Sequence, residues 1–234
     1  MRRMTRRSFI KAGVAVAAGA GGFYWLKSLP QVQDLAWPFR TALETNERLA
    51  NALFDPQKTA VTHQRDLAET PRINGEVGVG ADFDPAQWQL HVTGLATAKA
   101  LSLTDIQALP RHEMVTELMC IEGWSTVVQW AGVRFADFVA RFASGIRTRY
   151  VHLTTPDDAY YVGLDMASAM HPQTLLAFEM NGAPLSLDHG APLRLVIPVK
   201  YGVKNIKRIG TIRFTDERPA DYWAEKGYDW YAGL

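Results

Sequence analysis

The sequence predicts an α+β fold of mixed, mostly antiparallel sheets with short helices. Turn signatures at Pro156-Asp157-Asp158 and Asn181-Gly182 each separate two strand-like stretches, as in antiparallel hairpins. Strand-like stretches outnumber helical ones and do not alternate with them, which argues against a doubly wound parallel sheet. The chain has 234 residues, of which 47% are hydrophobic, so it is long enough to bury one sizeable core.

The first thirty residues have the composition of an export signal. They contain six basic residues and no acidic one, and an apolar run extends from Ala12 to Leu26. The pair Arg6-Arg7 within residues 5–11 resembles a twin-arginine signal, which a twin-arginine translocase reads during export of folded proteins. We therefore predict a periplasmic protein with residues 1–30 as its signal. The alternative is an uncleaved tether to the inner membrane, because Phe23-Tyr24-Trp25 suits a lipid interface.

Residues 31–234, after the signal, are predicted to form short helices, one ordered loop and seven strands. Within residues 31–80, the polar stretch 31–56 is compatible with an N-terminal helix. Residues 58–80 are predicted to form an ordered loop, because their Pro and Gly residues prevent regular structure. In the main domain, residues 81–234, Thr104 is expected to cap a short helix over 105–109, and an apolar stripe that begins at Phe135 predicts a second helix. Strands are predicted at 88–92, 113–120, 150–154, 159–164, 175–180, 193–198 and 206–214.

Charge and missing motifs exclude several function classes. Without the six basic residues of the signal, 19 of the 25 remain against 24 acidic ones, a formal charge of about −5, so a nucleic-acid partner is not expected. No strand leads into a glycine-rich nucleotide-binding turn. The six histidines are scattered without an i,i+4 pair, which argues against a structural zinc site.

Cys120 is the only cysteine, and it ends a predicted strand just before a Gly123-Trp124 turn. A lone cysteine cannot form an internal disulfide, and an exported protein usually pairs or omits its thiols. One interpretation is a small buried hydrophobic residue, and the other is a reactive thiolate that attacks a substrate.

Residues 188–208 form a basic block with five cations: Arg194, Lys200, Lys204, Lys207 and Arg208. Arg194 interrupts an apolar strand, where a buried guanidinium is costly without an anionic partner. The block therefore predicts a binding site for a phosphorylated or polyanionic ligand. For Lys204, Lys207 and Arg208, a solvated strand edge is an equal alternative.

Three motifs carry a resemblance to a known family: residues 120–124 (Cys-Ile-Glu-Gly-Trp), 189–194 (His-Gly-x-Pro-x-Arg) and 200–207 (Lys-Tyr-Gly-x-Lys-x-Ile-Lys). In order and spacing they resemble the molybdopterin-binding domain of the sulfite oxidase family, and within it the periplasmic methionine-sulfoxide reductase branch. The resemblance runs from about Arg72 to the C-terminus. It implies that Cys120 is the catalytic thiolate that binds molybdenum, and that the pterin and its phosphate are bound by Arg72, Asn74, Thr155, His189, Arg194, Asn205, Ile206 and Lys207.

The resemblance implies a molybdenum–molybdopterin oxidoreductase that transfers an oxygen atom to or from a small S-oxide or N-oxide. Because the chain lacks a haem-binding Cys-x-x-Cys-His motif, its electrons are expected to come from a membrane haem or quinol-linked subunit. Sulfite-oxidising members have Ala-Gly-Asn-Arg-Arg after the cysteine, whereas this chain has Ile121-Glu122-Gly123, which makes sulfite oxidation the weaker alternative. A second alternative is an exported, non-enzymatic binding or scaffold protein with a vestigial pocket.

Overall fold

The computed structural model describes residues 6–80 and 83–234, and for residues 6–9 it describes the backbone alone. The first five residues of the predicted signal therefore lie outside the described part. The helices are α1 (Arg6–Ser28), α2 (Trp37–Leu53), α3 (Leu103–Gln107), α4 (Phe135–Phe142) and α5 (Met166–Ala169). Within the described residues, none of them combines the length and the apolar character that membrane crossing requires.

Twelve strands are described, and ten of them build two five-stranded sheets. The strands are β1 (Gln31–Val32), β2 (Leu35–Ala36), β3 (Leu90–Thr93), β4 (Lys99–Leu101), β5 (Arg111–Met119), β6 (Ser125–Arg134), β7 (Tyr150–Thr154), β8 (Tyr161–Asp165), β9 (Leu175–Met180), β10 (Ala183–Pro184), β11 (Arg194–Val196) and β12 (Thr211–Thr215). One sheet has the order β4-β3-β12-β7-β8, and the other has the order β10-β9-β6-β5 with β11 also paired to β9. Among these pairs β3 with β12 is parallel and the others are antiparallel, which confirms the predicted fold class.

The main core joins the two sheets. Leu90, Leu153 and Ile212 from the first sheet are fully buried in one cluster with Leu176 and Leu195 from the second. Helix α4 adds its predicted apolar stripe to this cluster, and Phe135 and Phe138 are completely buried. This arrangement leaves the loops after β5 and around β11 free to form a cavity beside the second sheet.

Local turn chemistry confirms two predictions and corrects another. Asn181 and Gly182 both adopt positive φ, at 52° and 79°, as a two-residue hairpin turn requires between β9 and β10. The β7–β8 hairpin is also present, around residues 155–160. The prediction that Thr104 caps α3 was wrong: Ser102 is the cap, and its hydroxyl accepts from Asp105 N while Asp105 accepts from Ser102 N.

The predicted strand over 206–214 begins later, at Thr211. Arg208 has a φ of 45°, in the left-handed region, so residues 206–210 cannot continue as a regular strand. The predicted strand over 193–198 is likewise shorter, since the regular pairing of β11 covers three residues. From the two predicted strands, Arg194 and Lys207 lie on either side of the Gly202 turn and line the cavity described next.

The two predicted elements of residues 31–80 are present, with a small addition. A two-residue hairpin, β1–β2, precedes α2, so the helix occupies the second part of the predicted stretch. Residues 58–80 are an ordered loop that lies across the β5–β6 hairpin. Its backbone amides at His63 and Glu69 donate to Val115 O and Val127 O, at 2.9 and 2.8 Å. The loop is thereby anchored just before the residues that reach the cavity.

Candidate active site

A cavity of about 340 Å³ lies where five separate stretches of the chain meet. The stretches are the loop 71–77, the end of β5 with its following turn, the β7–β8 hairpin through Tyr160, the basic block, and the C-terminal loop 222–228. Of the predicted site residues, the structure brings seven to this cavity: Arg72, Asn74, Cys120, His189, Arg194, Asn205 and Lys207.

Cys120 stands one residue beyond the end of β5, as predicted. Its backbone N donates to Trp124 O at 2.9 Å and its O accepts from Gly123 N at 3.1 Å, which closes a tight turn in which Gly123 has a φ of 86°. The side chain is half-buried and lines the cavity, with its Sγ 3.7 Å from Asn74 Nδ2. The sulfur is therefore accessible from the cavity.

Glu122, two residues after the cysteine, places a carboxylate on the cavity wall. Its Oε2 accepts from Trp124 Nε1 at 3.0 Å and from Asn74 Nδ2 at 3.4 Å. The Arg72 guanidinium lies over the Trp124 ring, 4.9 Å from its centroid. The motif around the cysteine contained Glu122, but no role was predicted for it, because a side chain's direction in a turn is not evident from sequence.

Arg194 is buried, with 3% of the residue exposed, and no carboxylate lies within ion-pair distance of it in the described part of the chain. It donates from Nη1 to His189 O at 3.0 Å and from Nη2 to Asn205 O at 3.3 Å, and its guanidinium lies 4.6 Å from the Trp130 ring centroid. Its Nε has no partner among the described residues. Burial lowers the pKa of Arg194 to about 10. A buried charge is normally accompanied by an anion, and none lies beside Arg194 among the described residues.

Two further basic groups lie beside Arg194 at the cavity. Burial, and then the charges of Arg194 and Lys207, lower the pKa of His189, which favours the neutral imidazole. Burial, and then the charge of Arg194, lower the pKa of Lys207 to about 8, and its Nζ donates to Asn74 O at 2.8 Å. Lys207 therefore connects the basic block to the loop that carries Asn74.

Asn205 fixes the shape of the turn that crosses the basic block. Its Oδ1 accepts from Ile197 N at 2.8 Å, and its Nδ2 donates to Tyr201 O at 3.3 Å. Gly202 in this turn is close to the cysteine: a Cβ there would lie 3.8 Å from Cys120 Cα. The turn thus brings the basic block and the thiol to the same cavity.

Two of the predicted site residues are not brought to the cavity wall. The Thr155 hydroxyl is buried inside the β7–β8 turn, where it bonds Asp157 Oδ1 at 2.6 Å and accepts from Tyr160 N at 3.1 Å. Ile206 is 1% exposed and packs in the main core. The neighbours of Ile206 in sequence, Asn205 and Lys207, line the cavity, but the side chains of Thr155 and Ile206 do not.

The basic block is less uniform than predicted, because three of its five cations point elsewhere. Lys204 is buried in an ion pair with Asp221, with Nζ and Oδ2 2.5 Å apart, and Lys200 is buried beside Asp165 at 3.7 Å. Arg208 donates to three backbone carbonyls, those of Gly80, Leu187 and Ala191. Neither a common anion site nor a solvated edge describes these three residues. Lys204 and Arg208 bond other segments around the cavity, whereas the buried Lys200 Nζ has no hydrogen-bond partner among the described residues.

The side of the cavity formed by the C-terminal loop is aromatic, which the sequence interpretation missed. We call Tyr222, Trp223 and Tyr228 the aromatic wall. Their rings stack edge to face in sequence order, with centroids 5.4 and 5.1 Å apart. Trp124 faces the same cavity, whereas Trp130 packs beneath Arg194. The clustering of aromatic residues after position 221 was the available signal.

Comparison with known proteins identifies the family. The pattern of the family described as the oxidoreductase molybdopterin binding domain matches residues 76–223, well over half of the chain. The chain belongs to this family. It is therefore a molybdopterin-dependent oxidoreductase of the sulfite oxidase type, and the alternative of a non-enzymatic binding protein is set aside.

Relatives differ in how much of their length the chain matches. A protein of Azospira oryzae, provisionally named protein-methionine-sulfoxide reductase subunit YedZ1, is 36% identical over 97% of the chain and 87% of its own length. The protein-methionine-sulfoxide reductase catalytic subunit MsrP of Xanthomonas campestris is 40% identical over 58% of the chain, and the match covers 47% of that protein. The sulfane dehydrogenase SoxCD from Paracoccus pantotrophus shares the fold, with a TM-score of 0.53 at 18% identity over 58% of this chain and 40% of that one.

The residues of this cavity fit the anionic cofactor of the molybdopterin family. Arg194 is a buried cation whose Nε has no partner in the described part of the chain, and Lys207 is a second cation beside it. Phosphate oxygens are good acceptors for such a guanidinium. In the same cavity, Cys120 offers a soft sulfur ligand.

We predict that the affinity of the chain for its cofactor falls above about pH 8 because of Lys207. A bound phosphate favours the charged amine, so above the pKa of about 8 binding must take up a proton, and affinity should fall by up to about tenfold per pH unit. Cofactor occupancy measured between pH 7 and pH 9.5 should show this decline. In Lys207→Met it should be much flatter, and in the exposed control Lys99→Gln it should be unchanged; an equal decline in all three proteins would contradict the assignment.

Proposed function

We propose that this chain is a periplasmic molybdenum–molybdopterin oxidoreductase that reduces a small S-oxide or N-oxide with electrons from a membrane haem or quinol-linked subunit. The observation that carries the proposal is one cavity that contains the Cys120 sulfur, the buried Arg194 and an aromatic wall. The names of the Azospira and Xanthomonas relatives support an S-oxide as substrate. The basic and apolar segment 1–30 supports export.

Each group of residues has a distinct role in this proposal. Cys120 binds the molybdenum, and the pterin and its phosphate are bound by Arg72, Asn74, His189, Arg194, Asn205 and Lys207. When bound, the molybdenum–pterin group supplies two-electron oxygen-atom exchange. In the net reaction the S–O bond breaks, two electrons and two protons are taken up, and a thioether and water are released.

The carboxylate beside Cys120 favours a neutral substrate over sulfite, since the cations Arg194 and Lys207 of the same cavity are assigned to the cofactor phosphate. Glu122 presents a carboxylate two residues from Cys120, and two donors fix its position. An anion near Cys120 would be repelled by this carboxylate, whereas an S-oxide with apolar substituents can pack against the aromatic wall. Sulfite oxidation is the competing activity, and Arg72 is the cation at the cavity mouth that would serve it.

A substrate screen tests the proposal. The purified protein should contain molybdenum by elemental analysis, reduce sulfoxides with a reduced viologen dye, and oxidise sulfite poorly with a cytochrome acceptor. Glu122→Gln should raise the ratio of kcat/KM for sulfite to kcat/KM for the sulfoxide by about tenfold, because it removes a negative charge from the cavity. Efficient sulfite oxidation by the wild-type protein, without sulfoxide reduction, would overturn the proposed substrate class.

A further inference from the structure

The aromatic wall belongs to a short C-terminal loop that is closed on itself. Tyr228 N donates to Trp223 O at 3.0 Å and Gly227 N donates to Ala224 O at 3.2 Å. The aromatic side chains face the cavity, while the carbonyls of Ala224 and Tyr228 accept hydrogen bonds from a different part of the chain. The position of the aromatic wall therefore depends on contacts behind the loop as well as on β8, where Tyr161 O accepts from Tyr222 N at 3.0 Å.

Arg40 provides these contacts from the first turns of α2. It is the one buried residue described in that helix, at 4% exposed. Its Nη2 donates to Ala224 O at 2.8 Å and its Nη1 donates to Tyr228 O at 3.1 Å. The same guanidinium donates to Gln33 O at 3.0 Å and Val32 O at 3.3 Å in the β1–β2 hairpin. One planar group thus joins the N-terminal hairpin to both ends of the loop segment 224–228.

Other contacts fix different parts of this region. The Lys204–Asp221 ion pair fixes the chain just before the aromatic wall. Beyond Arg40, a polar cavity of about 410 Å³ lies between α2 and the C-terminal segment, with Glu44, Glu47 and Asp229 in its lining. The apolar contact of α2 with this segment comes from Ala50, which packs against the cluster of Ala224, Trp230 and Tyr231, and Arg40 supplies the hydrogen bonds. The hairpin approaches Gly227 more loosely, since a Cβ there would be 3.7 Å from Asp34 O.

The chemistry of Arg40 suits a positioning role better than an ion-pair role. Among the described residues no carboxylate lies within ion-pair distance of it, and backbone carbonyls replace the water around its charge. Arginine presents several donors in a fixed plane, so it can hold two segments at a defined separation, which the flexible amine of lysine does less well.

We propose that Arg40 is a positioning residue for the substrate side of the cavity: residues 31–53 hold the aromatic wall in place from outside. The proposal deepens the proposed function and rests on it for the substrate, although the position of the loop can be measured without turnover. Loss of Arg40 should loosen residues 222–230 and weaken substrate binding, and it should leave the cofactor, which contacts other residues, in place.

The test compares Arg40→Gln with Arg48→Gln, a matched control. Arg48 is exposed on the same helix and bonds Glu44 O and Thr45 Oγ1 within that helix. In the cofactor-loaded Arg40→Gln protein, hydrogen exchange should become faster by at least about tenfold for the amides of residues 222–230. KM for a small apolar sulfoxide should rise by about tenfold while kcat and molybdenum content change by less than about twofold. Arg40→Lys, which keeps part of the donor set, should give intermediate values, and it serves as the test protein if Arg40→Gln does not fold.

Each outcome decides the question. Unchanged exchange at 222–230, or equally faster exchange throughout the chain, would overturn the proposal, since either result denies Arg40 a specific effect on this loop. A lower kcat with an unchanged KM would also contradict the proposal. If exchange changes locally as expected but the wild-type protein turns over no S-oxide or N-oxide, the proposed function fails and the positioning of the loop by Arg40 stands.

Discussion

Cys120→Ser should fold like the wild-type protein and lose more than about a hundredfold of its oxidoreductase activity. The side chain is half-buried at the end of β5 and differs from serine by one atom, so the turn closed by Trp124 O and Gly123 N should persist. Loss of an outer partner of a metal ligand already costs about 10- to 100-fold, and loss of the ligand itself should cost more. Circular dichroism and thermal unfolding measure the fold, and sulfoxide turnover measures the activity.

The neighbouring residue offers a control for changes in the turn. Ile121→Val alters the same turn and the same cavity without touching the sulfur, so we expect it to retain most of the activity. Molybdenum content in Cys120→Ser should remain substantial, because the cations that bind the pterin are intact. A serine variant with full activity would show that the Cys120 thiol does not bind the metal and has only a packing role.

Arg194→Met should lower cofactor occupancy by about tenfold to a hundredfold and leave the stability of the cofactor-free protein nearly unchanged. Hydrogen bonds to a charged group are worth about 1.5–3 kcal/mol each, and the cofactor phosphate would lose such contacts. In the cofactor-free chain, methionine removes a buried cation without an anionic partner, and this gain offsets the two lost bonds to His189 O and Asn205 O. Metal analysis measures cofactor occupancy, and urea unfolding of the cofactor-free wild-type and variant proteins measures stability.

Arg208→Met is the matched control because the two arginines are equally buried, at 3% exposed, in the same basic block. Arg208 donates to three backbone carbonyls, is attracted by the nearby carboxylates of Asp157 and Asp188, which Arg194 lacks, and does not line the cavity. We therefore expect the opposite pattern: a loss of about 2–4 kcal/mol in the free energy of unfolding, and a smaller effect on occupancy of the folded protein. If both variants lose stability and neither loses cofactor, Arg194 is a structural residue and the assignment is wrong.

The sequence predicted those features that short-range chemistry determines. The Asn181-Gly182 turn requires positive φ at both positions, and the alternation in β3 buries Leu90 and Val92 while exposing His91. The position of Cys120 at a strand end followed from the glycine turn after it. Each of these features depends on a few consecutive residues, so the local pattern is sufficient.

Features that depend on distant partners could not be predicted in the same way. Five cations in one stretch suggested a single anion site, yet Lys204 meets Asp221 and Arg208 meets Gly80, partners whose positions only the fold determines. Arg40 appeared to be one polar residue of a helix, and its acceptors at Ala224 and Tyr228 lie more than 180 residues away. The positive φ of Arg208, at which the predicted strand is interrupted before β12, was likewise not evident from the sequence.

X-ray absorption at the molybdenum edge, on wild-type protein and Cys120→Ser, tests most directly whether the single thiol binds the metal. The proposal predicts one sulfur neighbour fewer around the metal in the serine variant than in the wild-type protein. An identical sulfur shell in the two proteins would contradict it, since Cys120 would then lie outside the coordination of the metal.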